Sequence, residues 1–137
     1  MDHWLVKTEP EEFSFETLTA KPGSCWDGVR NLEARKHLRA MAQSDQVFVY
    51  HTGKERRIVG LAKVVRTAYV DPSSPQPIWS AVDLTAVRAL PRPVTLAEIK
   101  ADPRFAQCLL VRRSRLSVMP IETEHFEAIL RLAGAQK

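Results

Sequence analysis

The chain has 137 residues, 45% hydrophobic and 26% charged, with a formal net charge of +4. That suits one domain with a real core and is too short to expect two, so a single domain over 1–137 is the expectation. No window approaches the roughly 18 apolar residues of a membrane helix. Nor does the start of the chain carry the basic stretch and apolar run of a secretory signal, so a soluble protein of the cytoplasm, or of the nucleus in a eukaryote, is expected.

Cys25 and Cys108 stand far apart with no CxxC spacing or nearby histidine pair, and the four histidines are scattered. This fits a reducing compartment and offers no convergent ligand set, so no metal site or cofactor is expected. Charge is unevenly spread. Residues 30–66 hold nine Lys/Arg against three Asp/Glu, residues 92–117 hold six against two, and residues 1–29 hold two against six. Such blocks suit a basic face for nucleic acid; the blander alternative is a set of solvated helix and loop surfaces.

In chain order, residues 4–8 read as a first strand ended by Glu9-Pro10, and 13–18 as a short helical turn before the Lys21-Pro22-Gly23 break. Asn31 can cap a helix over 32–42, with Ala34, Leu38 and Met41 on one side and Arg35, Lys36 and Arg39 on another. Residues 47–51 are apolar on both faces of a strand ending at His51-Thr52-Gly53, and 58–65 follow as an antiparallel partner across a charged tip. Residues 71–77 read as an irregular, exposed loop, and 82–90 as the next strand. Thr95-Leu96-Ala97-Glu98 is a capping box with Val94 and Ile99 as its hydrophobic staple. The apolar segments 109–111 and 116–119 bracket the basic turn Arg112-Arg113-Ser114-Arg115. A last amphipathic helix over 123–132 is closed by Gly134. Short strands with helices on their connections, and no regular βαβ alternation, favour an α+β fold built on a curled mixed or antiparallel barrel.

The run Cys25-Trp26-Asp27-Gly28-Val29-Arg30-Asn31 carries the parts of a nucleobase pocket: an aromatic face, a guanidinium and an amide. Each part also has an ordinary reading, Trp26 as a core aromatic and Asn31 as a helix cap. His51 and Thr52 at a strand end either satisfy backbone groups or read a ligand edge. Arg112, Arg113 and Arg115 form either a solvated turn or a phosphate clamp, with Ser114 and Ser117 as turn residues or donors. Lys7 and Glu9 form a surface pair or share the same rim. The signatures GxSxG, GxGxxG and GxxxxGK[ST] are all missing, although His51 with Ser114 or Cys25 leaves a nucleophile-base pair open.

Six blocks, Trp4-Leu5-Val6-Lys7-Thr8-Glu9-Pro10, Phe13-Ser14-Phe15, Trp26-Asp27-Gly28-Val29-Arg30-Asn31, Tyr50-His51-Thr52-Gly53, Ile58-Val59-Gly60 and Ser114-Arg115-Leu116-Ser117-Val118, cover nearly the whole chain. In this order they resemble the EVE domain of the thymocyte nuclear protein family, within the PUA-like superfamily. Thr52 stands where Ser is more frequent and Phe13 where Tyr is common, so a contact through that phenol is not expected.

The resemblance implies a PUA-like small mixed or antiparallel β-barrel surrounded by short helices, and a nucleic-acid reader that takes a modified base into a pocket at the barrel rim. Carried over by position, Trp26 would line the pocket, Arg30 and Asn31 its entrance, and His51 and Thr52 part of the wall. Ser114, Arg115, Leu116, Ser117 and Val118 would supply the opposing edge, with Lys7, Pro10 and Ser14 closing the rim. Phosphates would fall to Arg30, Arg35, Arg39, Arg112 and Arg115. The expected partner is DNA or RNA, with an effector such as a nuclease or helicase left open. The competing classes are an enzyme acting on nucleic acid and a module binding a small ligand or peptide.

Overall fold

The computed structural model describes residues 1–135. Six strands form one sheet in the order β2-β5-β4-β3-β1-β6. They are β1 (His3–Thr8), β2 (Ser24–Trp26), β3 (Gln46–His51), β4 (Arg57–Val70), β5 (Ser80–Thr95) and β6 (Val118–Pro120). β1 runs parallel to β3, and every other neighbouring pair is antiparallel. The α+β class and the mixed sheet are as expected, but the ladder ends at β2 on one side and β6 on the other, so the barrel is not closed by hydrogen bonds.

β5 runs well past the expected 82–90, through Pro91 and Pro93. A proline removes a ladder donor and belongs at an edge or a bulge. Here Ile58 pairs with Val94 while Gly60 pairs with Ala89, so both prolines fall in the stretch where the register slips and no ladder N–H is needed. β4 is also longer than expected and carries further register shifts. Bulges bend and twist a strand, which is how two long strands curl the sheet around one core.

Helix α1 (Phe15–Ala20) starts at Ser14, whose hydroxyl accepts from the Thr17 N–H, and α2 (Leu32–Ala40) starts at Asn31, whose Oδ1 accepts from Ala34 N–H at 2.9 Å. Ala34, Leu38 and Met41 are buried, as their spacing requires. α3 (Leu96–Ala101) begins with the complete Thr95–Glu98 capping box over the buried pair Val94 and Ile99. The apolar segment 109–111, together with Arg112 of the basic turn, forms the short helix α4 (Leu109–Arg112), and α5 (Thr123–Leu132) follows.

Phe48 stacks on Phe126 at 4.5 Å in a core that also takes Leu5, Val6, Leu18, Ile58 and Met119. Gly60 is fixed by this packing: a Cβ there would lie 2.4 Å from the ring of Phe15. At the end of the sheet where β3 begins, Asp45 is buried and accepts from the Trp4 indole N–H at 2.9 Å, the Ala42 N–H at 2.9 Å and the Asp2 N–H at 3.1 Å.

Candidate functional site

The outgoing end of β1 faces the strand and turn after β2 across a cleft of about 450 Å³. Lys7, Thr8, Glu9, Glu12 and Phe13 form one wall, Cys25 through Arg30 the other, and Ser117 closes the end next to β6. The two edges of the open sheet therefore meet at the same cleft, because β2 and the segment entering β6 both reach it.

Each wall is held rigidly. The Thr8 hydroxyl donates to the Phe13 carbonyl at 2.8 Å, and the Glu9 carbonyl accepts from Glu12 N–H at 3.0 Å and Phe13 N–H at 2.9 Å. Behind this turn the Thr52 N–H donates to the Thr8 carbonyl at 2.9 Å, and His51 Nε2 accepts from Phe15 N–H at 3.0 Å. With Nε2 accepting, Nδ1 carries the proton and donates to Glu55 Oε1 at 3.0 Å, which fixes the tautomer. His51 and Thr52, expected in the pocket wall, thus stand one layer behind it and brace it. Neither His51 nitrogen is left to activate Ser114 or Cys25.

On the opposite wall Trp26 is the inward-facing end of β2, paired with Val82 and only 6% exposed, with Phe13 edge-on at 5.6 Å. It is the core aromatic of its ordinary reading and also lines the cleft. Gly28 follows at φ +79°, a left-handed turn that favours glycine, and its N–H donates to Asp71 Oδ2 at 2.9 Å. Arg30 Nη1 donates to the same oxygen at 2.9 Å and Nη2 to the Ser73 hydroxyl at 3.1 Å, while the guanidinium lies 5.6 Å from the Trp79 ring.

Residues 72–77 are the irregular, largely exposed loop expected, but Asp71 at its start departs from it: its side chain is wholly buried. Burial alone would raise its pKa. Hydrogen bonds from the Ser73 hydroxyl, the Arg30 guanidinium and the Gly28 and Ser73 N–H groups outweigh that and hold the carboxyl at about 2. Its ionised form fastens the 71–79 loop to the turn carrying Arg30.

Of the residues expected to touch a ligand, the cleft gathers Lys7, Trp26, Arg30 and Ser117. Lys7 Nζ donates to the Ser114 carbonyl at 3.0 Å and lies 5.5 Å from the Tyr50 ring, and burial pushes its pKa down. Ser14 and Asn31 are occupied as helix caps, Leu116 and Val118 are buried, and Pro10, Ser114 and Arg115 lie outside the lining. Arg35 and Arg39 donate to the Ile78 carbonyl, each at 3.0 Å, and Arg39 Nε also to the Ser80 hydroxyl, so both clasp the loop after Asp71. Arg112 donates to Gln107 at 2.7 Å, Arg113 pairs with Glu33, and Arg115 is exposed.

The cleft also holds Glu9, read in the sequence as a surface partner of Lys7 or a rim residue, and residues outside the expected set: Thr8, Glu12, Phe13, Cys25, Asp27, Gly28 and Val29. For Cys25 and the Asp27–Val29 stretch the signal was adjacency to Trp26 and Arg30. For Glu12 and Phe13 it was only a turn after a strand. Burial pushes the Cys25 thiol up despite a hydrogen bond with Tyr69, so at neutral pH it is a thiol and not a thiolate nucleophile. Among the described residues no group of three or more His, Cys, Asp or Glu converges on a metal position, and no helix is long and apolar enough to cross a membrane.

The EVE domain model matches residues 2–132. Human thymocyte nuclear protein 1 is 39% identical over 164 residues, covering 95% of this chain and 73% of that protein. Among solved structures, protein Atu2648 from Agrobacterium tumefaciens has a TM-score of 0.96 at 36% identity, covering 98% of this chain and 94% of its own. Human THYN1 protein, solved in complex with DNA containing 5-methylcytosine, has a TM-score of 0.90 at 37% identity and full coverage of both chains. The chain belongs to the EVE domain family.

Proposed function

We propose that this chain, as one EVE domain over 1–137, is a nucleic-acid-binding reader that admits a single, modified base into the cleft between β1 and β2. The observation that carries the reading is the cleft's composition. Two aromatic residues, Phe13 and Trp26, and two cations, Lys7 and Arg30, line one cleft of about 450 Å³. A flat heterocycle attached to a phosphate needs both parts. The human relative solved with 5-methylcytosine DNA supports the same reading.

In this reading Lys7, Trp26, Arg30 and Ser117 meet the base or its phosphate, while His51 and Thr52 hold the β1 wall. Ser14 and Asn31 fix the helices beside it, and Ser114 anchors Lys7 through its carbonyl. Pro10, Leu116 and Val118 shape the rim and the strand edge, and Arg115 and Arg112 extend the phosphate track. Arg35 and Arg39 act through the loop they clasp. Burying one methyl group contributes only about 0.8 kcal/mol, roughly fourfold, so selectivity for a modified base must come mainly from polar contacts to its edge.

The test is a titration against matched oligonucleotides, single-stranded and duplex, carrying unmodified or modified cytosine or adenine at one position. A preference for one modified base, with affinity falling as salt rises, is expected of a reader that contacts phosphates. Equal affinity for every base, or no binding, rejects it. Intact oligonucleotide after incubation separates the reader from an enzyme acting on nucleic acid.

A further inference from the structure

Two large apolar side chains are left exposed at one corner of the molecule. Ile78, 48% exposed, belongs to the 71–79 loop, and Leu32 lies on α2 about one turn before Arg35, which reaches Ile78. Arg35 and Arg39 both donate to the Ile78 carbonyl, and the Asp71 N–H donates to the Trp79 carbonyl at 2.9 Å, closing the neck of the loop. Pro72, Pro75 and Pro77 stiffen the backbone between those ties. Trp79, the next residue, is half-buried, with the Arg30 guanidinium 5.6 Å and the Arg35 guanidinium 5.8 Å from its ring. Arg30 also lines the cleft, so a single guanidinium separates the cleft from the residue next to Ile78. A lone exposed isoleucine needs no explanation. One whose backbone is clamped by two arginines, beside a second exposed apolar side chain and a tryptophan, is an apolar point held in place. The clamping arginines donate to a carbonyl and a hydroxyl and not to a carboxylate, so their charge is not neutralised and surrounds that point with positive potential.

We propose that Ile78 is a wedge: it enters the base stack of a duplex where the base taken into the cleft has left, while the charge of Arg35 and Arg39 draws the neighbouring phosphates onto the loop. The inference rests on the reader function and deepens it by naming a double helix as the substrate. A base leaves a duplex only at the cost of its stacking and pairing. Apolar side chains, isoleucine among them, offset that cost by inserting between base steps and covering the faces laid bare. Such a side chain must be apolar, rigidly mounted and close to the pocket that receives the base. Ile78 meets all three conditions. A single strand, with no pair to break, needs the cleft alone.

The experiment presents one DNA oligonucleotide with a single 5-methylcytosine in three forms: as a single strand, as a matched duplex and as a duplex mismatched opposite that base. Ile78→Ala should weaken binding to the matched duplex about tenfold. On the mismatched duplex the loss should be no more than about threefold, because an unpaired base costs less to extrude. Affinity for the single strand should stay within about twofold of the parent, since its stacking on the cleft aromatics is untouched. Ile78→Met, which restores an apolar wedge, should stay within about threefold of the parent on all three forms. A folding defect, or an ordinary rim contact, would lower all three together. If Ile78→Ala keeps the parent's affinity for the matched duplex, or weakens the three forms equally, the wedge is overturned while the reader function stands. The same holds for a parent that binds the single strand and not the duplex. A parent that binds none of the three overturns both.

Discussion

Asp45 and Asp71 are both buried carboxylates whose hydrogen bonds hold their pKa below the ordinary value against the opposing pull of burial, yet they serve opposite ends of the molecule. Asp45 is satisfied by neutral donors, the Trp4 indole and the Ala42 and Asp2 backbone, and ties the start of β1 to the start of β3. Asp71 takes a guanidinium and a glycine N–H from the cleft wall, together with its own turn. A buried charge is unfavourable in either place, so what each one holds separates the two. One closes a fold; the other orients a cation that remains 37% exposed at the site.

The two roles come apart when each carboxylate is removed and stability and affinity are followed separately. Asp45→Ala orphans three donors in or beside the core and should cost roughly 3–5 kcal/mol in a chemical denaturation, with oligonucleotide affinity of the folded fraction unchanged. Affinity falling in step with stability would make Asp45 part of the site.

Asp71→Asn should cost less, roughly 2–3 kcal/mol, because Arg30 is partly solvated once released, but it turns an amide donor toward the Arg30 and Gly28 donors. Affinity for a modified oligonucleotide should drop by about tenfold, on the order of one charge-assisted hydrogen bond. The same variant tests pH. A carboxyl lowered from 3.8 to about 2 stabilises the protein fully above the unfolded value and loses that contribution as pH falls through the folded one. The parent should therefore lose stability between about pH 4 and pH 2, and Asp71→Asn should show a shallower loss. Glu98, also held at about 2 by Arg92 and Thr95, leaves a residual slope in both proteins. Identical slopes would place Asp71's charge outside the folding equilibrium.

The same contrast between local and distant partners governs what is legible in the sequence. The Asn31 cap and the Thr95–Glu98 box span three residues, so each writes its partners into one local pattern. Asp71 meets Gly28 and Arg30 across more than forty residues, and the proline- and serine-rich run around it carries only the local half of its role, the turn with Ser73. β1 and β3 are parallel and far apart in sequence, and nothing local specifies that pairing. Trp26 and Arg30 were legible as residue types suited to a base, and Lys7 as a surface-pair or rim residue. That His51 braces the wall from behind depended on which ring nitrogen meets the Phe15 N–H, a fact of the packed state.

Trp26 shares the character of both carboxylates, since it belongs to the core and to the site, and the smallest predicted effect uses that. At 6% exposure, Trp26→Ala would open a core cavity costing roughly 3–5 kcal/mol and confound any binding result, so Trp26→Phe is the informative change. It keeps an aromatic ring near Phe13 and should lower stability by only about 1 kcal/mol. If the indole is also the cleft floor, affinity for the preferred modified oligonucleotide should fall about threefold, close to what burying a single methylene contributes. The salt dependence should stay unchanged, because no phosphate is released by the substitution. Unchanged affinity at the lowered stability would assign Trp26 to the core alone and leave Phe13 as the aromatic surface available to a base.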